Sequence, residues 1–397
     1  MRVGAVICEY NPFHRGHAWQ LSRLRQEEGC DAVLCLMSGH FTQRGDVAIL
    51  SKWDRAAAAI HGGADLVLEL PTRYALCSAE GFAHHGVAML ASTGVAQILH
   101  FGSETGEVQP LLELAHLLLQ PDILEAITTL QKSGLGFAAA RQQVVAQHCP
   151  QLAPLLRQPN NILGVEYCKA ILRQKLPLRP VTISRQGAGY HASTPVEGYA
   201  SASYLRAHWQ EPDAAAYLPA FSLELLRRQG DCPSLERLET ALLYHLRTLS
   251  PGQLTHVPDV TEGLEYRILR CARQADSFAT LLHMLSTRRY TASRLRRVLL
   301  GSLLGLRKSW YRHPTYLLRV LAANPTGLSL LHRMKYTATQ PILTKPAHYR
   351  RLDTAHQALF LHECQCTDVY NLCRTGIPLD ELTRSPYIEP HNKNGTA

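Results

Sequence analysis

The chain has 397 residues, 46% of them apolar, and carries 41 Lys and Arg against 32 Asp and Glu, for a net charge of +9 and a pI near 9.0. That length predicts two domains with real buried cores, and the positive balance points to an anionic partner. No stretch approaches the roughly 18–20 uninterrupted apolar residues of a membrane span, and the start of the chain shows no small-residue cleavage site. The 11 cysteines form no regular framework. Cys364 and Cys366 make a lone C-x-C with no second pair, which is a poor zinc signal. Cys8, Cys35 and Cys77 lie in apolar surroundings and read as buried free thiols of a reducing compartment. A cytosolic protein with no membrane partner is expected.

"VGAVI" (Val3–Ile7) reads as a buried strand, followed by a helix from about His17 to Glu28. "AVLCLM" (Ala32–Met37) is a second strand, then come a Gly-containing turn and a helix over Lys52–His61. "DLVLEL" (Asp65–Leu70) is a third strand, with a helix around Ala79–Ser92 and then "AQILHF" (Ala96–Phe101). Continuous apolar strands alternating with helices predict βαβ units and a parallel sheet covered on both faces. The crevice of such a sheet lies beyond the carboxyl ends of its strands, where the loops Glu9–His17, Ser38–Gly45 and Gly102–Glu104 converge. Helical periodicity runs from about Leu111 to Leu172, "RPVTISR" (Arg179–Arg185) reads as a further strand, and "SASYLRAHW" (Ser201–Trp209) starts another helix. Past residue 212 the strand signals fade into Leu-rich helical segments. The expected fold is therefore α/β: a Rossmann-like domain with a parallel sheet over 1–211, a boundary at Glu211–Asp213, and a mainly helical domain over 212–397.

The stretch "EYNPFHRGH" (Glu9–His17) places two histidines where the first strand turns into the first helix. A helix N-terminus offers free N–H groups and positive potential suited to phosphate. Gly16 allows close backbone approach, and two imidazoles can donate to phosphate oxygens as charge builds in a displacement. His14 and His17 are thus candidate catalytic groups for nucleotidyl transfer, a metal pair or a simple helix cap being the bland alternatives. In "SASYLR", Ser201, Ser203 and Arg206 fall at a helix start, where hydroxyls and a guanidinium can hold the outer phosphates.

"EYNPFHRGH", "MSGHFTQRGDVAILSKWDRA", "GADLVLELP", "FGSE", "PNNILGVEYCKAI", "SRQGAGYH", "SASYLR", "EGLEYRI" and "TASRLRRVLLGSLLG" follow in order over most of the chain. Their combination resembles the tRNA(Met) cytidine acetate ligase family of the HIGH-motif nucleotidyltransferase superfamily. The resemblance implies that ATP and acetate form acetyl-adenylate, whose acetyl group is passed to N4 of the wobble cytidine of elongator tRNA(Met). ATP is then a substrate, with no tightly bound cofactor and no metal ligand set assigned. It further implies ATP contacts from Ile7, Cys8, Glu9, Tyr10, Asn11, Pro12, Phe13, His14, Arg15, Gly16, His17, Ala18, Trp19 and Gln20, and from Gly102, Asn161 and Arg185. Asn160 adjoins Asn161, so that assignment can slip by one. The sequence departs from the family pattern at Arg15, at His40 where Asn is expected, and at Tyr204 in a normally small position.

Residues 281–350 contain 13 Lys or Arg and no Asp or Glu. The basic residues there include Arg288, Arg289, Arg294, Arg296, Arg297, Arg307, Lys308, Arg312 and Arg319, interleaved with Tyr290, Trp310, Tyr311 and Tyr316. With no acid inside the segment to pair with, an external polyanion is favoured over a solvated helical face, and aromatics among arginines suit unstacked bases. Arg294, Arg296 and Arg297 are the candidate tRNA contacts, Arg294 and Arg297 sharing one helical face. A small-molecule adenylyltransferase of cofactor synthesis would leave this segment idle. An inactive RNA-binding relative would leave His14 and His17 without a purpose.

Overall fold

The computed structural model describes residues 1–185, 198–261, 263–287 and 290–390. Residues 186–191 of the "SRQGAGYH" stretch, Glu262, Arg288, Arg289 and the tail 391–397 lie outside the described residues.

The first half of the chain supplies the strands β1 (Val3–Cys8), β2 (Ala32–Ser38), β3 (Phe41–Thr42), β4 (Asp46–Val47), β5 (Leu66–Leu70), β6 (Ile98–Ser103) and β7 (Arg179–Ser184). The second half adds β8 (Leu318–Ala323), β9 (Ile342–Leu343) and β10 (Tyr387–Ile388). The main sheet runs β10-β8-β5-β2-β1-β6-β7 with β9 on β8, while β3 and β4 form a small antiparallel hairpin. All pairings in the main sheet are parallel except β5 with β8. Register sets Ile7 opposite Leu36 and Gly4 opposite Ile98, so β1 lies between β2 and β6. The chain leaves β1 for β2 and β5 on one side, then crosses to β6 and β7 on the other. That reversal opens a crevice at the carboxyl ends of β1 and β6.

The near-continuous apolar strands are buried on both faces, as parallel strands must be. On one face Phe82, Val87, Leu90, Leu114 and Val165 pack onto the sheet from the helices Ala79–Ser92, Val108–Leu117 and Pro159–Gln174. On the other, Leu21, Leu24, Trp53, Ala56 and Ile60 come from Arg15–Glu28 and Lys52–His61. A separate core, including Leu242, Leu246, Ile268, Leu281 and Leu299, holds the helices between Glu239 and Leu303 together.

The second half is not solely helical, and the expected boundary at Glu211–Asp213 does not divide the sheet. "LRVLAA" (Leu318–Ala323) pairs antiparallel with β5, and the helix Pro325–Thr337 packs on β2, β5 and β8. A six-residue apolar run has no period that distinguishes strand from buried helix, which is why sequence reading passed over it. A buried ionic cluster joins the halves. Lys52 Nζ lies 2.5 Å from Glu69 and also meets Glu381; Arg319 lies 3.3 Å from Glu69 and also meets Glu381. All four side chains are at most 6% exposed. Two cations balance two anions there, so removing one leaves an uncompensated buried charge. Glu381→Gln is therefore expected to cost about 3–5 kcal/mol of unfolding free energy, read by urea denaturation. A loss under about 1 kcal/mol would show the cluster to be solvated instead.

Candidate active site

After β1 the chain turns sharply, with Tyr10 in the left-handed region at φ 47°. Asn11 secures the turn: its side chain accepts from the Ile49 amide at 2.9 Å, and its carbonyl accepts from Arg206 at 2.9 Å. Phe13 packs into the core so closely that a Cβ on Gly62 would sit 2.1 Å from its ring. This anchoring aims the next residue, His14, at the helix start.

His14 is the N-cap of Arg15–Glu28. Its Nδ1 accepts from the Gly16 amide at 3.1 Å, and His17 Nδ1 accepts from the His14 amide at 3.3 Å. An imidazole whose Nδ1 accepts from an amide must, when neutral, carry its proton on Nε2. The cap thus makes each ring an Nε2–H donor, and the bland reading of His14 as a cap and the chemical reading turn out to be one arrangement. The rings stack with centroids 3.7 Å apart. Burial, with Arg185 adding to it, pushes His14 down to about 3. Burial, His14 and Arg185 hold His17 well below the usual range.

Arg55, fully buried on the helix Lys52–His61, donates to the carbonyls of Glu9, Ser38, Gly39 and Leu50 and so ties the loops after β1 and β2 together. These loops and the end of β6 surround a cavity of about 620 Å³, the size of a small-molecule site. Of the residues expected from the sequence, Ile7, Cys8, Glu9, Tyr10, Asn11, His14, Gly16, His17, Trp19, Gln20, Gly102, Arg185, Ser201, Ser203 and Arg206 line it. Pro12, Phe13 and Ala18 back the loop, and Arg15 is exposed to solvent. Asn161 is fully buried, with its side-chain oxygen accepting from the amides of Glu104 and Thr105 at 2.9 and 3.1 Å. It shapes the loop after β6, and the neighbour Asn160 is the one bordering the cavity.

Ser201 caps its helix by accepting from the Tyr204 amide at 3.1 Å, while Arg206 donates to Ser203 Oγ at 3.0 Å. Tyr204 stacks on His208 and leaves Ser201, Ser203 and Arg206 on the cavity wall. His40 is buried and stacked on Tyr370 with centroids 4.1 Å apart, so its departure from the family pattern falls in packing. Thr42, Gln43 and Arg44 belong to the Ser38–Gly45 loop expected at the crevice, though none was singled out there as a site residue; Asp46 just beyond it, and Phe82, Tyr167 and Tyr199, were missed as cavity wall. "TQRGD" after a buried strand was a usable signal for the hairpin. The aromatics carried none beyond ordinary core patterning.

The basic segment is less free than its acid-poor sequence suggested. Arg294 donates to the Asp259 carbonyl and to Thr261 Oγ1, each at 2.9 Å, and Arg297 lies 3.5 Å from Asp259 with its side chain 10% exposed. Both tether the loop before the helix Leu264–Gln274. Arg296 instead lines the cavity, 3.7 Å from Asp46. Gly45 (φ 73°) brings the hairpin onto this helix so tightly that a Cβ there would lie 2.6 Å from the Arg297 amide nitrogen. Trp310 covers Arg73, Tyr311 donates to the Arg73 carbonyl and Tyr316 bonds His85, so these aromatics serve internal packing and not base stacking. Among the described residues His362, Glu363 and Cys366 cluster closely enough for a metal. His362 Nε2 already faces the Leu304 carbonyl, and the Glu363 oxygens accept from the Thr72 amide and hydroxyl.

The HIGH Nucleotidyl Transferase family matches over residues 1–382. A tRNA(Met) cytidine acetate ligase of Thermoanaerobacter sp. (strain X514) is 35% identical over 94% of this chain and 95% of its own. One of Caldanaerobacter subterraneus subsp. tengcongensis is 36% identical over 96% and 98%. This chain belongs to the tRNA(Met) cytidine acetate ligase family. The crystal structure of Thermotoga maritima TmcAL bound with alpha-thio ATP superposes with a TM-score of 0.91 at 30% identity, covering 98% of this chain and 99% of that one. Its apo form gives 0.92 over the same shares. The expected α/β nucleotidyltransferase fold is thus shown, with the C-terminal half sharing its sheet.

Removing either imidazole deletes an Nε2–H donor. His14→Ala and His17→Ala should each lower ATP–pyrophosphate exchange by roughly a hundredfold or more in a folded protein, and near-parental exchange would remove both from the chemistry. Both histidines are neutral when folded and titrate near 6.5 when unfolded, so they withdraw stability as pH falls below about 6.5. Urea midpoints of the double His14→Ala/His17→Ala variant should accordingly fall less between about pH 7 and pH 5 than those of the parent.

Proposed function

We propose that this chain activates acetate with ATP as acetyl-adenylate and acetylates N4 of the wobble cytidine of elongator tRNA(Met). The supporting observation is the pair of Nε2–H donors at the helix start beyond β1, facing a cavity that Arg185 and Arg206 also line. An acetate oxygen attacks the α-phosphorus and pyrophosphate leaves. The imidazoles donate to the phosphoryl oxygens as charge builds, which is where donors accelerate a displacement. Arg206 and the Ser201 and Ser203 hydroxyls take the departing pyrophosphate, a fork-shaped guanidinium being suited to two oxygens at once. Adenylation makes AMP the leaving group in place of oxide, and lodging the mixed anhydride in the cavity limits its contact with water until the base arrives.

In this reading ATP is consumed and not a resident cofactor, residues 1–211 carry the ATP and acetate chemistry, and residues 212–397 supply the tRNA surface. No described helix is long and apolar enough to cross a membrane. A cytoplasmic location follows from the substrates proposed.

The reaction is tested by ATP–pyrophosphate exchange with acetate and, separately, with a pyridine mononucleotide. Exchange is expected with acetate alone, and exchange with the mononucleotide alone would instead identify a cofactor adenylyltransferase. The tRNA surface is tested residue by residue, since Arg294 and Arg297 have internal partners, whereas Arg296, among the described residues, has the looser 3.7 Å contact with Asp46. Arg296→Ala should weaken tRNA binding and flatten its log–log salt dependence by roughly 0.7–0.9, with a folded stability within about 0.5 kcal/mol of the parent. Arg297→Ala should lower stability by about 1–3 kcal/mol. An unchanged salt slope in Arg296→Ala would place the tRNA elsewhere.

A further inference from the structure

The turn after the helix Ala292–Leu303 carries charge that the fold leaves without a carboxylate. Arg307, Lys308 and Arg312 bracket a short 3-10 segment, Lys308–Tyr311, and all three are exposed. Among the described residues no ion pair involves any of them, whereas exposed arginines such as Arg173, Arg179 and Arg228 each meet a Glu or Asp. The aromatics interleaved with these cations hold the turn down. Tyr311 donates to the Arg73 carbonyl at 2.7 Å, and the Trp310 ring lies 4.1 Å from the Arg73 guanidinium and 4.9 Å from the His362 ring. The apolar surface of the turn is thus spent inward while its charge stays outside.

Two tethers set this turn beside the mouth of the cavity. Lys308 Nζ donates to the Val260 carbonyl at 2.7 Å, next to Asp259, which Arg297 meets at 3.5 Å. Arg297 in turn adjoins Arg296 on the cavity wall. On the other side, the Arg73 carbonyl that takes Tyr311 belongs to the helix Thr72–Ala75, and Cys77 just past it accepts from Gln43 Nε2 at 3.1 Å. Gln43 also lines the cavity.

Resting on the acetate-ligase reading above, we propose that Arg307, Lys308 and Arg312 clamp the phosphates of the anticodon arm beside the point where the acceptor cytosine enters the cavity. A base delivered into the cavity leaves its backbone at the mouth, and each neighbouring nucleotide brings one negative charge there. Exposed cations with no carboxylate partner meet that charge by releasing counterions, with no protein ion pair to break. Lys308 keeps two ammonium hydrogens beyond the one given to Val260. Phosphate contacts fix position and carry no sequence information, so the clamp sets the register of the arm and leaves the choice of tRNA to other contacts.

The test uses the double variant Arg307→Gln/Arg312→Gln, which spares the Lys308 tether, and measures binding of whole tRNA(Met) and of its anticodon stem-loop across a salt series. For both RNAs the log–log salt slope should flatten by roughly 0.7–0.9 for each of the two contacts removed. Acetate-dependent ATP–pyrophosphate exchange without tRNA should stay within about twofold of the parent, as for surface substitutions in general. Arg307→Lys/Arg312→Lys, which keeps the charge, should hold most of the slope. Arg227→Gln/Arg228→Gln removes equal charge from the helix Ala220–Gln229 and should leave the slope as in the parent. An unchanged slope in the first variant would overturn the proposal, as would an equal loss in the Arg227/Arg228 control, which would mark a bulk-charge effect. Loss with whole tRNA but not with the stem-loop would place the contact on the tRNA body and overturn it too, and so would a parallel loss of exchange. Absence of acetate-dependent exchange in the parent would instead count against the acetate-ligase reading, which keeps the two failures apart.

Discussion

The geometry of this active site hangs on one buried cation. Arg55 has no exposed surface and spends its guanidinium on backbone carbonyls from the end of β1, the end of β2 and the start of its own helix. A guanidinium stripped of water is costly unless its donors are used, and hydrogen bonds to a charged group are worth about 1.5–3 kcal/mol each. The demand for satisfaction therefore pulls two separate loops onto one point. With the Glu9 carbonyl held there, the Tyr10 turn, the packing of Phe13 and the His14 cap follow within five residues. The imidazole pair owes its tautomers to that cap and its neutrality to burial.

A second buried ionic group decides how the halves of the chain relate. Lys52 lies one helical turn before Arg55 on the same helix, and through Glu69, Arg319 and Glu381 it draws segments from across the sequence into the sheet's edge. The antiparallel pairing of β8 with β5 gives the second half a rigid connection to the strands that carry the site. The β3–β4 hairpin completes it: Gln43 holds Glu9 while Gly45 rests on the helix that carries Arg296. Arg296 of the second half thus stands on the cavity wall beside Asp46 of the first, and the cavity's rim belongs to both halves.

Much of this was legible in the residues. Four of the five parallel strands from Val3 to Ser184 were visible as short apolar runs, since strands buried on both faces are predominantly apolar, and the edge strand β7, "RPVTIS", was visible as a β-branched stretch of mixed polarity. "FHRGH" marked the site because a strand, a glycine and two histidines at a helix start have few other uses. The "LRVLAA" strand was not legible, because an apolar run of that length reads equally as buried helix. Nor was the true environment of Arg294 and Arg297: Asp259 lies outside the acid-free window and meets them only when the helices pack.

What the sequence by itself determined were most of the elements and their order, a loop after β1 whose residue types suit phosphate, and a strong positive balance concentrated in residues 281–350. These are local properties, carried by periodicity, by glycine and by the charge of neighbouring side chains. Only the tertiary structure decided which nitrogens of His14 and His17 carry protons, which of the two asparagines borders the cavity, and which arginine of three reaches it. Each of those outcomes depends on a backbone amide or carboxylate brought near by folding, and pairwise electrostatics and hydrogen bonding act through distance in space, to which spacing along the chain is blind.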